Sequence, residues 1–129
     1  MEKYFLFLDD RRTLKMAMTE DPYFLSFLKT TGYAIKIEKI KIVKNTKSFI
    51  KTIKEFGVPE FTSLDHDLAD FFSKNGEKRE RTGDTCAKWL CEYCIENNIP
   101  IPQHYVHSNN PAGKKNINAT FTFYKKYAN

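Results

Sequence analysis

The chain opens on an apolar run, Tyr4-Phe5-Leu6-Phe7-Leu8, that stops abruptly at Asp9-Asp10-Arg11-Arg12. This is the pattern of a strand buried on both faces whose C-terminal end meets solvent. Between Glu20 and Thr31 the positions Tyr23, Phe24, Phe27 and Leu28 recur at helical spacing, with Asp21-Pro22 as a start and Gly32 as a stop. From Ala34 to Val43 the chain alternates as a strand, but Ile35 and Ile37 share one face while Ile40 and Ile42 share the other. That change of phase predicts a bulge or turn near Glu38-Lys39. Asn45 or Thr46 caps a helix carrying Phe49, Ile50, Ile53 and Phe56, and Gly57 with Pro59 ends it. Phe61-Thr62-Ser63-Leu64 predicts a short strand. Ser73 to Gly83 has no apolar face and reads as a solvated, mobile loop. Asp84 or Thr85 caps the next helix, whose apolar stripe is Ala87, Leu90, Cys91, Cys94 and Ile95 and which Ile99-Pro100-Ile101-Pro102 terminates. Gln103 to His107 predicts another strand. Asn110 as N-cap and Pro111 at the first helical position open a last helix with Ile117, Phe121 and Tyr124 on one face.

Strands alternating with helices through short loops predict an α/β fold: an open, mostly parallel sheet with helices on both faces. In such folds ligands bind outside the carboxyl ends of the strands. Asp9-Asp10-Arg11, Asp65-His66-Asp67 and His107-Ser108-Asn109-Asn110 each follow a predicted strand, so the three clusters should meet at one edge of the sheet.

Composition narrows the class. A chain of 129 residues, 41% hydrophobic and 15% aromatic, suits one domain spanning residues 1–129. No apolar run exceeds a strand's length and no signal-peptide pattern opens the chain, so a cytoplasmic protein without a membrane span is expected. Cys86, Cys91 and Cys94 are odd in number and crowded together, which argues against a disulfide framework. The formal charge is +5, and eight lysines against the single Glu38 lie between Lys29 and Lys54. That segment reads as a solvated face, with weak nucleic-acid contact as the alternative. The acidic islands are the more informative feature. Carboxylates crowded into one crevice repel one another unless a cation or protons intervene, and hard oxygen ligands suit Mg²⁺ or Mn²⁺. Asp9, Asp10, Asp65 and Asp67 are the candidate metal ligands. His66 and His107 are candidates to move protons, and His104, near the start of its strand, falls on the far side of the sheet. Asn110 to Asn116 places amides, a glycine and Lys114 or Lys115 at a helix N-terminus, an anion site in the making, to which Thr82-Gly83-Asp84-Thr85 adds another.

Taken together, Phe7-Leu8-Asp9-Asp10-Arg11, Ser63-Leu64-Asp65-His66-Asp67-Leu68, Thr82-Gly83 with Lys88-Trp89-Leu90, and His107 through Asn116 resemble, in order and spacing, the signature of the cyclic-phosphate processing receiver-like domains. The resemblance implies a receiver-type, flavodoxin-like fold. It also implies that Asp9 and Asp10 form the acidic pair that binds Mg²⁺ in receivers, that Asp65 is the carboxylate receivers phosphorylate, and that Ser108 stands near the receiver hydroxyl position. His66 and Asp67 are additions to the ordinary receiver pattern. No lysine follows a clear fifth strand, and Arg12-Thr13-Leu14 stands where the family usually has a proline. The function this implies is a metal-assisted phosphoesterase acting on a cyclic phosphate of a nucleotide or RNA end. In it Asp65, His66 and His107 are catalytic, while Arg11, Thr82, Ser108, Asn110, Lys114 and Asn116 hold the phosphate. The alternative is a non-catalytic receiver-like module that binds or sequesters a phosphorylated nucleotide, for instance in a phage–host conflict.

Overall fold

A computed structural model of the chain describes residues 4–11 and 39–128. In chain order its elements are β1 (Phe5–Leu8), β2 (Ile40–Val43), α1 (Thr46–Phe56), β3 (Phe61–Leu64), β4 (Asp70–Lys74), β5 (Glu77–Arg81), α2 (Gly83–Glu96), β6 (Gln103–Val106) and α3 (Pro111–Lys125). Four strands form one parallel sheet in the order β2-β1-β3-β6. This is the expected α/β, receiver-like arrangement of the flavodoxin type. The helix expected between Glu20 and Thr31, and residues 34–38 with their change of phase, lie outside the described residues.

Alternation along the strands sorts the core into two layers. Leu6, Leu8, Leu64 and Val106 point to the face on which α1, α2 and α3 all pack, through Phe49, Ile53, Leu90, Ile117 and Phe121. Phe5, Phe7 and Phe61, with Ile42 and Tyr105, form a buried cluster on the opposite face. All three described helices therefore share one face. Cys86, Cys91 and Cys94 are buried free thiols of α2, and burial pushes them up to about 12, 12 and 11 respectively. They act as small packing groups. Among the described residues, no helix is long and apolar enough to cross a membrane.

Two local expectations are corrected. The segment read as a mobile loop is an antiparallel hairpin, β4 paired with β5 from Asp70↔Arg81 to Lys74↔Glu77. Asn75 and Gly76 both take positive φ, 55° and 77°, the conformation of the two-residue turn that matches strand twist. Cross-strand cation–π contacts replace an apolar face: Lys78 lies 4.2 Å from the Phe71 ring and Arg81 4.0 Å from Phe72. The hairpin is tied down at its base, where the Asp70 carboxylate accepts the Thr46 N–H at 3.0 Å.

The second correction concerns caps. Helix α1 is capped by Asn45, as one of the two expected candidates, but α2 is capped by Thr82 and not by Asp84 or Thr85. The Thr82 hydroxyl accepts the Asp84 N–H at 3.2 Å, and the Thr85 hydroxyl accepts the Thr82 N–H at 3.0 Å. This reciprocal box starts the helix at Gly83, two residues earlier than a cap at Asp84 would. Thr82→Ala is expected to cost about 1 kcal/mol and to lower Tm by roughly 4 °C in a thermal melt.

Candidate functional site

The sheet register builds the site. The last paired layer aligns Leu8 with Leu64 and Leu64 with Val106. One residue further, three adjacent strands deliver Asp9, Asp65 and His107 side by side, on the face of Phe7, Ser63 and Tyr105. Backbone hydrogen bonds carry the ladder that extra step: Asp9 N–H to Val43 C=O at 3.0 Å, Asp65 N–H to Leu8 C=O at 2.9 Å, and His107 N–H to Leu64 C=O at 3.0 Å. One ligand atom from each of Asp9, Asp65 and His107 lies within 4.8 Å of the others. Among the described residues these are the groups able to hold a metal ion.

His107 is fixed from three sides. Its ring stacks on Phe7 at 4.4 Å, its Nε2 lies 3.0 Å from Asp9 Oδ2, and its Nδ1 lies 2.8 Å from Ser63 Oγ. Asp9 is itself held, its Oδ1 accepting the Arg11 N–H at 2.8 Å. Burial raises the Asp65 carboxyl above the usual range, and the charges of Asp9 and Asp10 add to the rise. The nearby His107 and the His66 backbone N–H pull the other way and are outweighed. Asp10 has one buried oxygen, Oδ1, with no hydrogen-bond partner among the described residues. Its charge bears on Asp65, but it is not part of the cluster of Asp9, Asp65 and His107.

A cavity of about 380 Å³ opens over this floor, lined by Asp9, Arg11, Asp65, Asp67, His107, Ser108 and Asn109. The Arg11 side chain is 87% exposed, with its Nε 4.0 Å from Asp10 Oδ2. The Ser108 Oγ accepts the Asn110 N–H at 3.1 Å, which leaves the hydroxyl hydrogen available. Asp67 accepts a hydrogen bond from His66 Nδ1 at 2.9 Å, and this bond chiefly holds its carboxyl below the usual range. Asn110 does not line the cavity but braces Asp67 from the start of α3: its Nδ2 lies 3.4 Å from both Asp67 oxygens, and its Oδ1 accepts the Gly113 N–H at 3.0 Å.

The sequence-derived residues thus separate into groups. Asp9, Asp65, Asp67, His107, Arg11 and Ser108 converge on the cavity, while Asp10 is not among its lining residues. His66 does not line it. Its ring lies flat against α3, where a Cβ on Gly113 would come within 2.3 Å of His66 Cγ. Thr82 caps α2, Lys114 extends its ammonium over the Tyr105 ring at 5.8 Å, and Asn116 is exposed on α3. His104 stacks on Phe121 at 3.8 Å and binds Asn118. Ser63 and Asn109 were not singled out from sequence. Ser63 carried a usable signal, since it lies two residues before Asp65 and hence on the same face of its strand.

The family model described as cyclic-phosphate processing receiver domain matches residues 4–123. No curated protein and no solved structure matches the chain.

Proposed function

The chain belongs to the cyclic-phosphate processing receiver family, and from that premise we propose that its site hydrolyses a cyclic phosphate on a nucleotide or RNA end with the help of a divalent cation. One observation carries the reading: Asp9, Asp65 and His107 stand within 4.8 Å of one another on the floor of a cavity whose mouth carries Arg11. Asp9, Asp65 and His107 would hold the cation. Two carboxylates and an imidazole suit Mn²⁺ at least as well as Mg²⁺. A bound cation neutralises the carboxylate cluster and polarises a phosphoryl oxygen.

The chain's own groups supply the rest. Arg11, outside the cluster and exposed, draws the anionic phosphate to the mouth, and the spare Ser108 hydroxyl hydrogen donates to a phosphoryl oxygen. In ring opening the oxygen of water bonds to phosphorus, one P–O ester bond breaks, and a proton ends on the departing sugar oxygen. Asp67, lining the cavity outside the three-ligand cluster and kept ionised by His66, is placed to relay that proton.

The test uses purified protein with 2′,3′-cyclic mononucleotides, cyclic oligonucleotides and RNA bearing a 2′,3′-cyclic end, each with Mg²⁺ or Mn²⁺ and then with EDTA. Conversion to the opened monophosphate, lost on chelation and in His107→Ala, is the expected result. Ligand retained intact at stoichiometric amounts would replace hydrolysis by a binding-only role.

A further inference from the structure

Ser63 is buried at 1% exposure on β3, inside the sheet and outside the cavity lining, yet its hydroxyl lies 2.8 Å from His107 Nδ1. The other nitrogen of the same ring, Nε2, faces Asp9 Oδ2 at 3.0 Å. A neutral imidazole carries one proton, so one nitrogen donates and the other accepts. Where the neutral ring donates its Nε2–H to the Asp9 carboxylate, Nδ1 is left as an acceptor for the Ser63 O–H. Holding a cation demands the reverse. Nε2 must then present its lone pair, the ring proton must sit on Nδ1, and Nδ1–H needs an acceptor in a buried setting where an unmet donor is costly.

Among side chains small enough for this position, a hydroxyl serves both states, because it donates in one and accepts in the other. We propose that Ser63 is a positioning residue that lets His107 exchange tautomers, so that Nε2 donates to Asp9 when the site is empty and turns its lone pair to a cation when one enters. No net proton is gained or lost by the neutral ring: the proton given up at Nε2 is matched by one taken at Nδ1. Stacking on Phe7 holds the ring plane fixed, so the change requires no flip of the imidazole. The cation half of the proposal rests on the reading of the site as a metal centre; the hydrogen bond to Ser63 does not.

The experiment is ¹⁵N-histidine NMR on the full chain, with Zn²⁺ as a diamagnetic probe, together with Mn²⁺ titration of wild type, Ser63→Ala and Ser63→Thr. In metal-free wild type, His107 should show a protonated Nε2 and a hydrogen-bonded, bare Nδ1. Ser63→Ala should move the Nδ1 resonance toward that of an unbonded nitrogen. With Zn²⁺, wild type should show a protonated Nδ1. Mn²⁺ affinity should fall by about 10-fold or more in Ser63→Ala and return in Ser63→Thr, which keeps the hydroxyl. An unchanged Nδ1 resonance in metal-free Ser63→Ala, or Mn²⁺ binding within twofold of wild type, would overturn the role of Ser63. If wild type binds neither cation, the metal reading and the tautomer exchange fail together, while the metal-free spectra still report on the hydrogen bond alone.

Discussion

Asp65→Asn is expected to make the metal-free protein more stable and to abolish the proposed hydrolysis. In the folded chain the Asp65 carboxyl is raised by burial and by the charges of Asp9 and Asp10. A carboxyl whose folded pKa lies above its unfolded value binds more protons in the native state. Stability is therefore greatest below the ordinary carboxylate range and declines as pH rises through the elevated folded value. Once ionised, the Asp65 carboxylate is a net cost, and the isosteric amide relieves it while still accepting the His66 N–H. A gain of the order of 1 kcal/mol corresponds to a Tm about 4 °C higher for a domain of this size. That gain should shrink toward zero in melts at pH 3, where the wild-type carboxyl is protonated. Turnover should move the other way, falling by roughly 10³-fold, because an amide neither balances a cation's charge nor completes its ligand set. Added Mn²⁺ should raise the Tm of wild type and leave that of the variant unmoved. A variant that is both less stable and still active would show that Asp65 is a packing residue and not part of a charged centre.

The opposed effects follow from how the site is made, and they bear on what the sequence could disclose. The carboxylates were legible because each cluster follows a strand-length segment: a short run that switches abruptly to charge marks a strand's carboxyl end without any knowledge of neighbours. The partner of those carboxylates was only half legible. His107 was visible as a titratable residue after a strand, but its place beside Asp9 depends on the register of β6 against β3, which no local pattern encodes. The orientation of His66 was hidden for the same reason. Flanked by two aspartates in sequence, it turns in space toward Asp67 and the backbone of α3. The hairpin of β4 and β5 escaped because the usual strand signal is burial on one face, and this ribbon has none. Its information lay in Asn75-Gly76 and in aromatic residues placed to meet cations across the strands. The capping of α2 by Thr82 was obscured by three eligible side chains within four positions, Thr82, Asp84 and Thr85, and the hydrogen bonds of Thr82 decide among them.

Gly83 also sets a large, purely steric effect. A Cβ built on it would lie 1.9 Å from the Asp65 carbonyl oxygen and 3.1 Å from His66 Cα. These are backbone atoms and cannot swing aside as a side-chain tip would. The approach is close because the Gly83 N–H donates to the His66 carbonyl at 2.9 Å, so the first turn of α2 clasps the loop that carries Asp65 and Asp67. Gly83→Ala must either break that clasp or push the loop outward, which moves Asp65 away from Asp9 and His107. A loss of roughly 3 kcal/mol is expected, with Tm lower by about 10 °C. Mn²⁺ binding should weaken along with it, since a displacement near 1 Å takes a carboxylate out of coordinating range. Gly76→Ala provides the contrast. Its Cβ meets nothing within 4 Å, but the residue sits at a φ of +77°, so the penalty is confined to a left-handed turn and amounts to about 1 kcal/mol. The hairpin tip should loosen while cation binding stays at the wild-type level. Thermal melts and Mn²⁺ titrations of the two variants separate the cases. Equal losses of cation affinity would mean that the site depends on the hairpin turn as much as on the clasp of α2, and that its geometry is not set locally at Gly83.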